Sequence, residues 1–157
     1  MHHHSEKELE QKAYLIALRK VKKELFYPVL TSVHEEVFTQ TDCLSCAKCC
    51  KTIPALLTRS DIKRLAAHLN LPPKTFVRKY VLEDIQGELT LNGVPCTFLN
   101  SDNTCSVYDI RPEACRRYPH TDEVGYIDRT ALNLANAAVC PAADEILTRL
   151  QKSFPLP

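Results

Sequence analysis

Glycine is scarce in this chain. Gly87, Gly93 and Gly125 are the only three in 157 residues, and they are not grouped. A loop that cradles phosphate needs several small residues at fixed spacing, so a free-standing nucleotide- or S-adenosylmethionine-binding domain is disfavoured. Charge of one sign is not in surplus either: 20 Lys and Arg are interspersed with 19 Asp and Glu, for a net charge of +1. Without a basic stripe or patch, no nucleic-acid partner is expected. No run of about 18 apolar residues occurs, so no membrane span is predicted. An apolar signal core is also missing. Residues 1–5, with His2, His3 and His4, read as a tag remnant, and the charged stretch 6–10 follows where such a core would lie. The expected location is therefore the cytoplasm.

What the chain has instead is eight cysteines: Cys43, Cys46, Cys49, Cys50, Cys96, Cys105, Cys115 and Cys140. The first four form a C-x2-C-x2-C-C run. A disulfide-stapled secreted scaffold is usually shorter than about 80 residues because it cannot build a core, whereas 157 residues can bury one unaided. In a cytoplasmic chain, clustered cysteines bind metal more often than they pair. Thiolates at every third position suit a soft metal ion or an iron–sulfur cluster. The even spacing resembles the iron–sulfur run of ferredoxins, while structural zinc usually takes two separated C-x2-C knuckles and no second one is present. Adjacent Cys49 and Cys50 suggest two sites, or one ligand beside a supporting thiol. Cys96, Cys105 and Cys115 lie about ten residues apart, which suits a hairpin and a following helix converging on one point.

Ligation requires thiolates, and a free thiol with a pKa of about 8.5 is mostly protonated at neutral pH. Arg116 and Arg117 beside Cys115, Arg111 one helical turn earlier, and Lys48 and Lys51 beside the tetrad shift the balance toward the ionised form. His120, just after the Cys115 segment, is a candidate ligand or supporting group, with Asp122 able to orient its ring. His34 is a weaker candidate that reads first as an ordinary helix-face residue. Cys140, between Val139 and Pro141, reads either as a ligand or as a small buried hydrophobe.

Residues 6–27 carry Leu9, Ala13, Ile16, Ala17, Val21 and Leu25 near a helical period, which predicts an amphipathic helix ended by Pro28. A second helix is predicted over 29–38, with Val29, Val33 and Val37 on one stripe. Residues 6–39 would form an N-terminal helical arm and 40–157 the cysteine-cluster domain, all in one compact unit. Residues 40–52 lack periodicity and read as a metal-binding loop. Thr58-Arg-Ser-Asp61 is a capping-box signal, with Ile62, Leu65, Ala66 and Leu69 supplying a buried face. Further helices are predicted over 74–81, 112–118, 131–139 and 141–152. Asn92-Gly93 signals a hairpin turn after 88–91, and segments 96–99 and 105–108 read as a second hairpin around 101–103. The expected fold is a small cysteine-rich metal-binding domain, mainly α with one or two short β-hairpins.

Six motifs then line up in order: Cys43-Leu-Ser-Cys46-Ala-Lys-Cys49-Cys50, Leu57-Thr-Arg-Ser-Asp61-Ile, Pro95-Cys96-Thr-Phe-Leu99, Cys105-Ser-Val-Tyr108-Asp-Ile-Arg111-Pro112-Glu-Ala-Cys115-Arg116, Tyr118-Pro119 and Cys140-Pro141. Over about residues 40–142 this pattern resembles the CxxCxxCC family of YkgJ-type cysteine cluster proteins, which are zinc- or iron-chelating domains. The resemblance implies that all eight cysteines belong to the cluster and that Arg111, Pro112 and Arg116 share its site. Ala47 stands where members commonly have glycine, so the loop is expected to turn differently there, since alanine disfavours positive φ. Flagellin lysine N-methylases are similar over this domain and are linked to an iron–sulfur cluster, but this chain lacks the rest of such an enzyme. The function expected is metal binding, through an iron–sulfur cluster or zinc or iron ions. The alternatives are a metal-dependent group-transfer enzyme, such as a methylating one, and a zinc-stabilised interaction module docking a protein partner through its N-terminal helices.

Overall fold

A computed structural model describes residues 5–157, and the remainder of the expected tag, residues 1–4, lies outside the described residues. In chain order the elements are α1 (Glu6–Leu18), α2 (Lys23–Phe38), α3 (Cys43–Cys46), α4 (Lys48–Thr52), α5 (Arg59–His68), α6 (Pro73–Tyr80), β1 (Val81–Glu83), β2 (Leu89–Leu91), α7 (Glu113–Arg117), α8 (Thr130–Val139) and α9 (Pro141–Ser153). Among the described residues the fold is mainly helical, with a single two-stranded antiparallel hairpin. The chain divides into two units. A terminal unit comprises the described residues up to Thr41 with Pro119–Pro157, and a central unit comprises Asp42–Tyr118. Among the described residues no helix is long and apolar enough to cross a membrane.

In the terminal unit α2 and α8 pack on α9, and α1 packs on α8. Ser5 opens α1 by accepting the Glu8 N–H at 3.2 Å. The buried stripe of α1 is Gln11, Tyr14, Leu15 and Leu18, whereas Leu9 and Ile16, from the expected apolar face, are exposed. Polar atoms on the buried side are satisfied. Gln11 Nε2 donates to Asp144 Oδ1 at 2.7 Å, and the Tyr14 hydroxyl lies 3.0 and 2.9 Å from the carbonyls of Leu150 and Phe154.

The expected helix end at Pro28 is also corrected. α1 stops at Leu18, and Pro28 sits inside α2. Proline within a helix costs about 3 kcal/mol. Phe26, Leu30, Val33 and Val37, spaced at helical intervals, are buried against the unit's core and each contributes about 1.5–3 kcal/mol, so burial outweighs the proline.

The central unit has its own core of Leu57, Ile62, Leu65, Ala66, Phe76, Leu91, Phe98 and Val107. α5 is opened by the predicted capping box of Thr58 and Asp61 and packs on α6. The hairpin differs from expectation. β2 pairs backward with β1, in register Val81↔Leu91 and Glu83↔Leu89, and the turn between them contains Gly87 at φ 81°. Asn92-Gly93 follows β2 instead of turning the hairpin, and Asn92 Nδ2 donates to the Lys79 carbonyl at 2.7 Å. The second expected hairpin contracts to one bridge, Leu99↔Cys105, because residues 108–110 wind into a 3-10 turn.

Candidate metal centre

The segment expected to be an irregular loop is two short helices. Asp42 Oδ1 caps α3 by accepting the N–H groups of Leu44 and Ser45 at 3.1 and 3.2 Å. α3 carries Cys43 and Cys46 and ends at Ala47, which takes the left-handed conformation at φ 49°, ψ 17°. α4, carrying Cys49 and Cys50, starts immediately after it. The departure at Ala47 is therefore in residue type, while the backbone makes the turn that glycine would make. The remaining cysteines of the central unit reach this corner through specific ties. The Cys96 N–H donates to the Cys50 carbonyl at 2.7 Å. Asn103, at φ 69°, donates from Nδ2 to the carbonyl of Ser45, between Cys43 and Cys46, at 3.0 Å. Cys105 is fixed by its bridge to Leu99 and by the Ser106 N–H bond to the Phe98 carbonyl at 2.9 Å. Cys115 lies on α7.

These thiols sense one another. The side-chain interaction between adjacent Cys49 and Cys50 raises Cys49 and lowers Cys50; the Lys51 ammonium also favours the Cys50 thiolate. Burial raises Cys96, and the charges of Cys50 and Cys105 raise it further. Burial and Cys50 raise Cys105, opposed in part by Arg111. Cys115 is pushed up to about 12 by desolvation and then by Cys50, Cys96 and Cys105, again with Arg111 opposing. Cys115 is exposed as a residue although its thiol is desolvated, and a bound cation would offset the repulsion from the other sulfurs. The Arg111 guanidinium is held 4.0 Å from the Tyr108 ring centroid, with Nη1 donating to the Tyr108 carbonyl at 2.7 Å.

Five soft donors that cannot all ionise without a counter-charge fit a metal cation by their chemistry. Among the described residues, no group of three or more His, Cys, Asp or Glu side chains is already arranged to hold an ion. Arg116 is exposed on α7 beside Cys115.

The other candidates belong to the terminal unit. His34 Nδ1 lies 3.0 Å from Thr121 Oγ1, and its Nε2 lies 3.9 Å from Asp122 Oδ2. His120, at φ 63°, is held at Nδ1 by Glu123 Oε1 at 2.8 Å, and Glu123 Oε2 accepts from Arg129 Nη1 at 2.7 Å. Glu123 therefore holds the His120 ring, in the role considered for Asp122. Cys140 joins α8 to α9 and packs against the terminal core. Sequence reasoning missed Glu123, Asn103 and Arg64, and saw Asp61 only as a cap. The turn residues 101–103 were the one available signal for Asn103.

The CxxCxxCC family, described as "Putative zinc- or iron-chelating domain", matches residues 42–141. The chain is also 31% identical over 85 residues to "Uncharacterized protein MJ0661" of Methanocaldococcus jannaschii, an alignment covering 52% of this chain and 46% of that protein. The chain thus spans about half the length of the curated relative it matches. No solved structure matches it.

Proposed function

The chain belongs to the CxxCxxCC family, and on that footing we propose that its central unit is a thiolate metal centre in which Cys43, Cys46, Cys49, Cys50, Cys96, Cys105 and Cys115 hold zinc or iron, the iron as ions or as an iron–sulfur cluster. The observation that carries this reading is that separate segments of one unit bring cysteines to one corner: the Cys96 N–H donates to the Cys50 carbonyl at 2.7 Å, and Asn103, two residues before Cys105, donates from Nδ2 to the Ser45 carbonyl at 3.0 Å. Such a group stays protonated or takes a cation. When bound, the metal supplies the positive charge that lets these sulfurs ionise together. The C-x2-C-x2-C spacing supports iron–sulfur, and the all-thiol donor set serves zinc equally well. Docking of a protein partner through the N-terminal helices has Leu9 and Ile16 in its favour, both exposed, but single exposed apolar residues are ordinary on a protein surface. We assign no reaction to the centre.

Anaerobic purification followed by metal and acid-labile sulfide analysis should return bound zinc or iron, with sulfide present only in the cluster case. Cys105→Ser and Cys115→Ser should each lower that content, because a hydroxyl is a far poorer soft-metal ligand than a thiolate. Protein that emerges without metal and with every thiol free, or single cysteine variants that all keep their full metal, would overturn the reading.

A further inference from the structure

Asp61 and Arg64 are not thiols, yet their bonds converge on the chain that carries Cys115. Asp61 is 1% exposed. Its Oδ2 accepts the Thr58 N–H at 2.8 Å, which with the Asp61 N–H bond to Thr58 Oγ1 at 3.0 Å closes the capping box of α5. That box needs only one carboxylate oxygen. Oδ1 is turned to other partners, accepting from Arg64 Nη2 at 2.7 Å and from the Glu113 N–H, at the start of α7, at 3.2 Å. Arg64 then reaches two successive carbonyls, Ile110 through Nε at 3.2 Å and Arg111 through Nη2 at 3.0 Å. Pro112, between the gripped residues, is buried, and its carbonyl accepts the Arg116 N–H at 3.1 Å.

We propose that the Asp61–Arg64 pair is a positioning device for the metal centre, locking residues 110–113 to α5 and so holding Cys115 in place relative to Cys105. The proposal rests on the thiolate reading above. A buried carboxylate is unfavourable unless every oxygen is bonded, and a helix cap alone would not need one committed to a second segment. The planar guanidinium fork meets the two neighbouring carbonyls with two different nitrogens in a fixed geometry, which the single nitrogen of a lysine does not reproduce. Between Cys105 and Cys115 the chain is held at three points, 110, 111 and 113, so the segment leading to Cys115 cannot simply swing away from α5. Ordering donors in advance strengthens binding by reducing what must be ordered when the metal arrives.

The test titrates the full chain, reduced and stripped of metal, with Zn(II) against a chromophoric chelator. Asp61→Asn should weaken zinc binding about tenfold to a hundredfold, as loss of a group supporting a ligand typically does. Arg64→Lys, the gentler change, should weaken it in the same direction while circular dichroism stays that of the wild type. The decisive readout is a double-mutant cycle. In the Cys115→Ser background, Asp61→Asn should add no more than about a twofold loss, since the donor it positions is gone. Independent, multiplying losses would mean that the pair acts only on general stability and would sink the proposal. Wild-type zinc affinity in both Asp61→Asn and Arg64→Lys would do the same. A wild-type chain that takes no zinc and holds no cluster removes the metal reading itself, and this inference with it.

Discussion

Ala47 adopts φ 49° between α3, which bears Cys43 and Cys46, and α4, which bears Cys49 and Cys50. A left-handed alanine costs roughly 1–2 kcal/mol. Replacing it by glycine relieves that strain but also loses a buried methyl, 3% exposed as a residue, worth about 0.8 kcal/mol. Glycine further adds about 0.5–1 kcal/mol of unfolded-state freedom. The terms nearly cancel, so Ala47→Gly should change unfolding free energy in urea by less than about 1 kcal/mol. Ala47→Val is different in kind, because a β-branched residue is an outlier at positive φ and two extra methyl groups would enter a buried site. It should cost more than about 2 kcal/mol and lower metal content. A valine variant as stable as wild type would mean that residue 47 is not left-handed in solution. The identity of residue 47 was readable from sequence, but its backbone angle was not, because Asp42 capping α3 and the immediate start of α4 together impose the turn.

At the scale of elements, the capping box of α5 and the start of α9 were legible because their signals are local, a threonine–aspartate pair and a proline at the helix start, and α6 was placed to within a residue at each end. Where polar side chains are buried, the sequence misled. On α1 the apolar letters Leu9 and Ile16 suggested a face, yet Gln11 and Tyr14 are buried because Asp144 and the carbonyls ending α9 satisfy them, and those partners lie more than a hundred residues away. Pro28 misled for a related reason, since tertiary burial of Phe26 and Leu30 overrides a local break. The seven cysteines of the central unit were readable as candidate donors, whereas the bonds that Asp61, Arg64 and Asn103 make to Glu113, Ile110, Arg111 and Ser45 are long-range and leave no local pattern. Pro28 also makes a prediction at this scale. It is the sixth residue of α2 and exposed, so its missing N–H falls where a helical bond to Glu24 would form. Pro28→Ala should restore that bond and raise unfolding free energy by about 1–3 kcal/mol, less than the full interior penalty because proline also restricts the unfolded chain. A loss of stability on that change would show that the proline is needed for the path of α2.

For the whole molecule, the two units differ in what holds them. The terminal core gathers fourteen buried apolar residues and the central core eight, so the central unit has less apolar burial to offset its ordering entropy. It also carries the repelling thiols. A ligand that binds only the folded state stabilises by mass action, and the metal's contribution should therefore fall on the unit that supplies its donors. Hydrogen exchange before and after removal of metal by a strong chelator under reducing conditions should separate the two. Amides of α4, α7 and the 96–106 segment should lose protection by at least about tenfold, while those of Leu30 in α2 and Leu147 in α9 should keep theirs more nearly. Re-addition of metal should restore the lost protection, because the thiols remain reduced and can be reloaded. Equal loss across both units would mean that they unfold as one cooperative body. No loss anywhere would mean that the eight-residue core and the bonds from Asp61, Arg64 and Asn103 hold the cysteine segments without an ion, and the thiols would then be poised for metal rather than dependent on it.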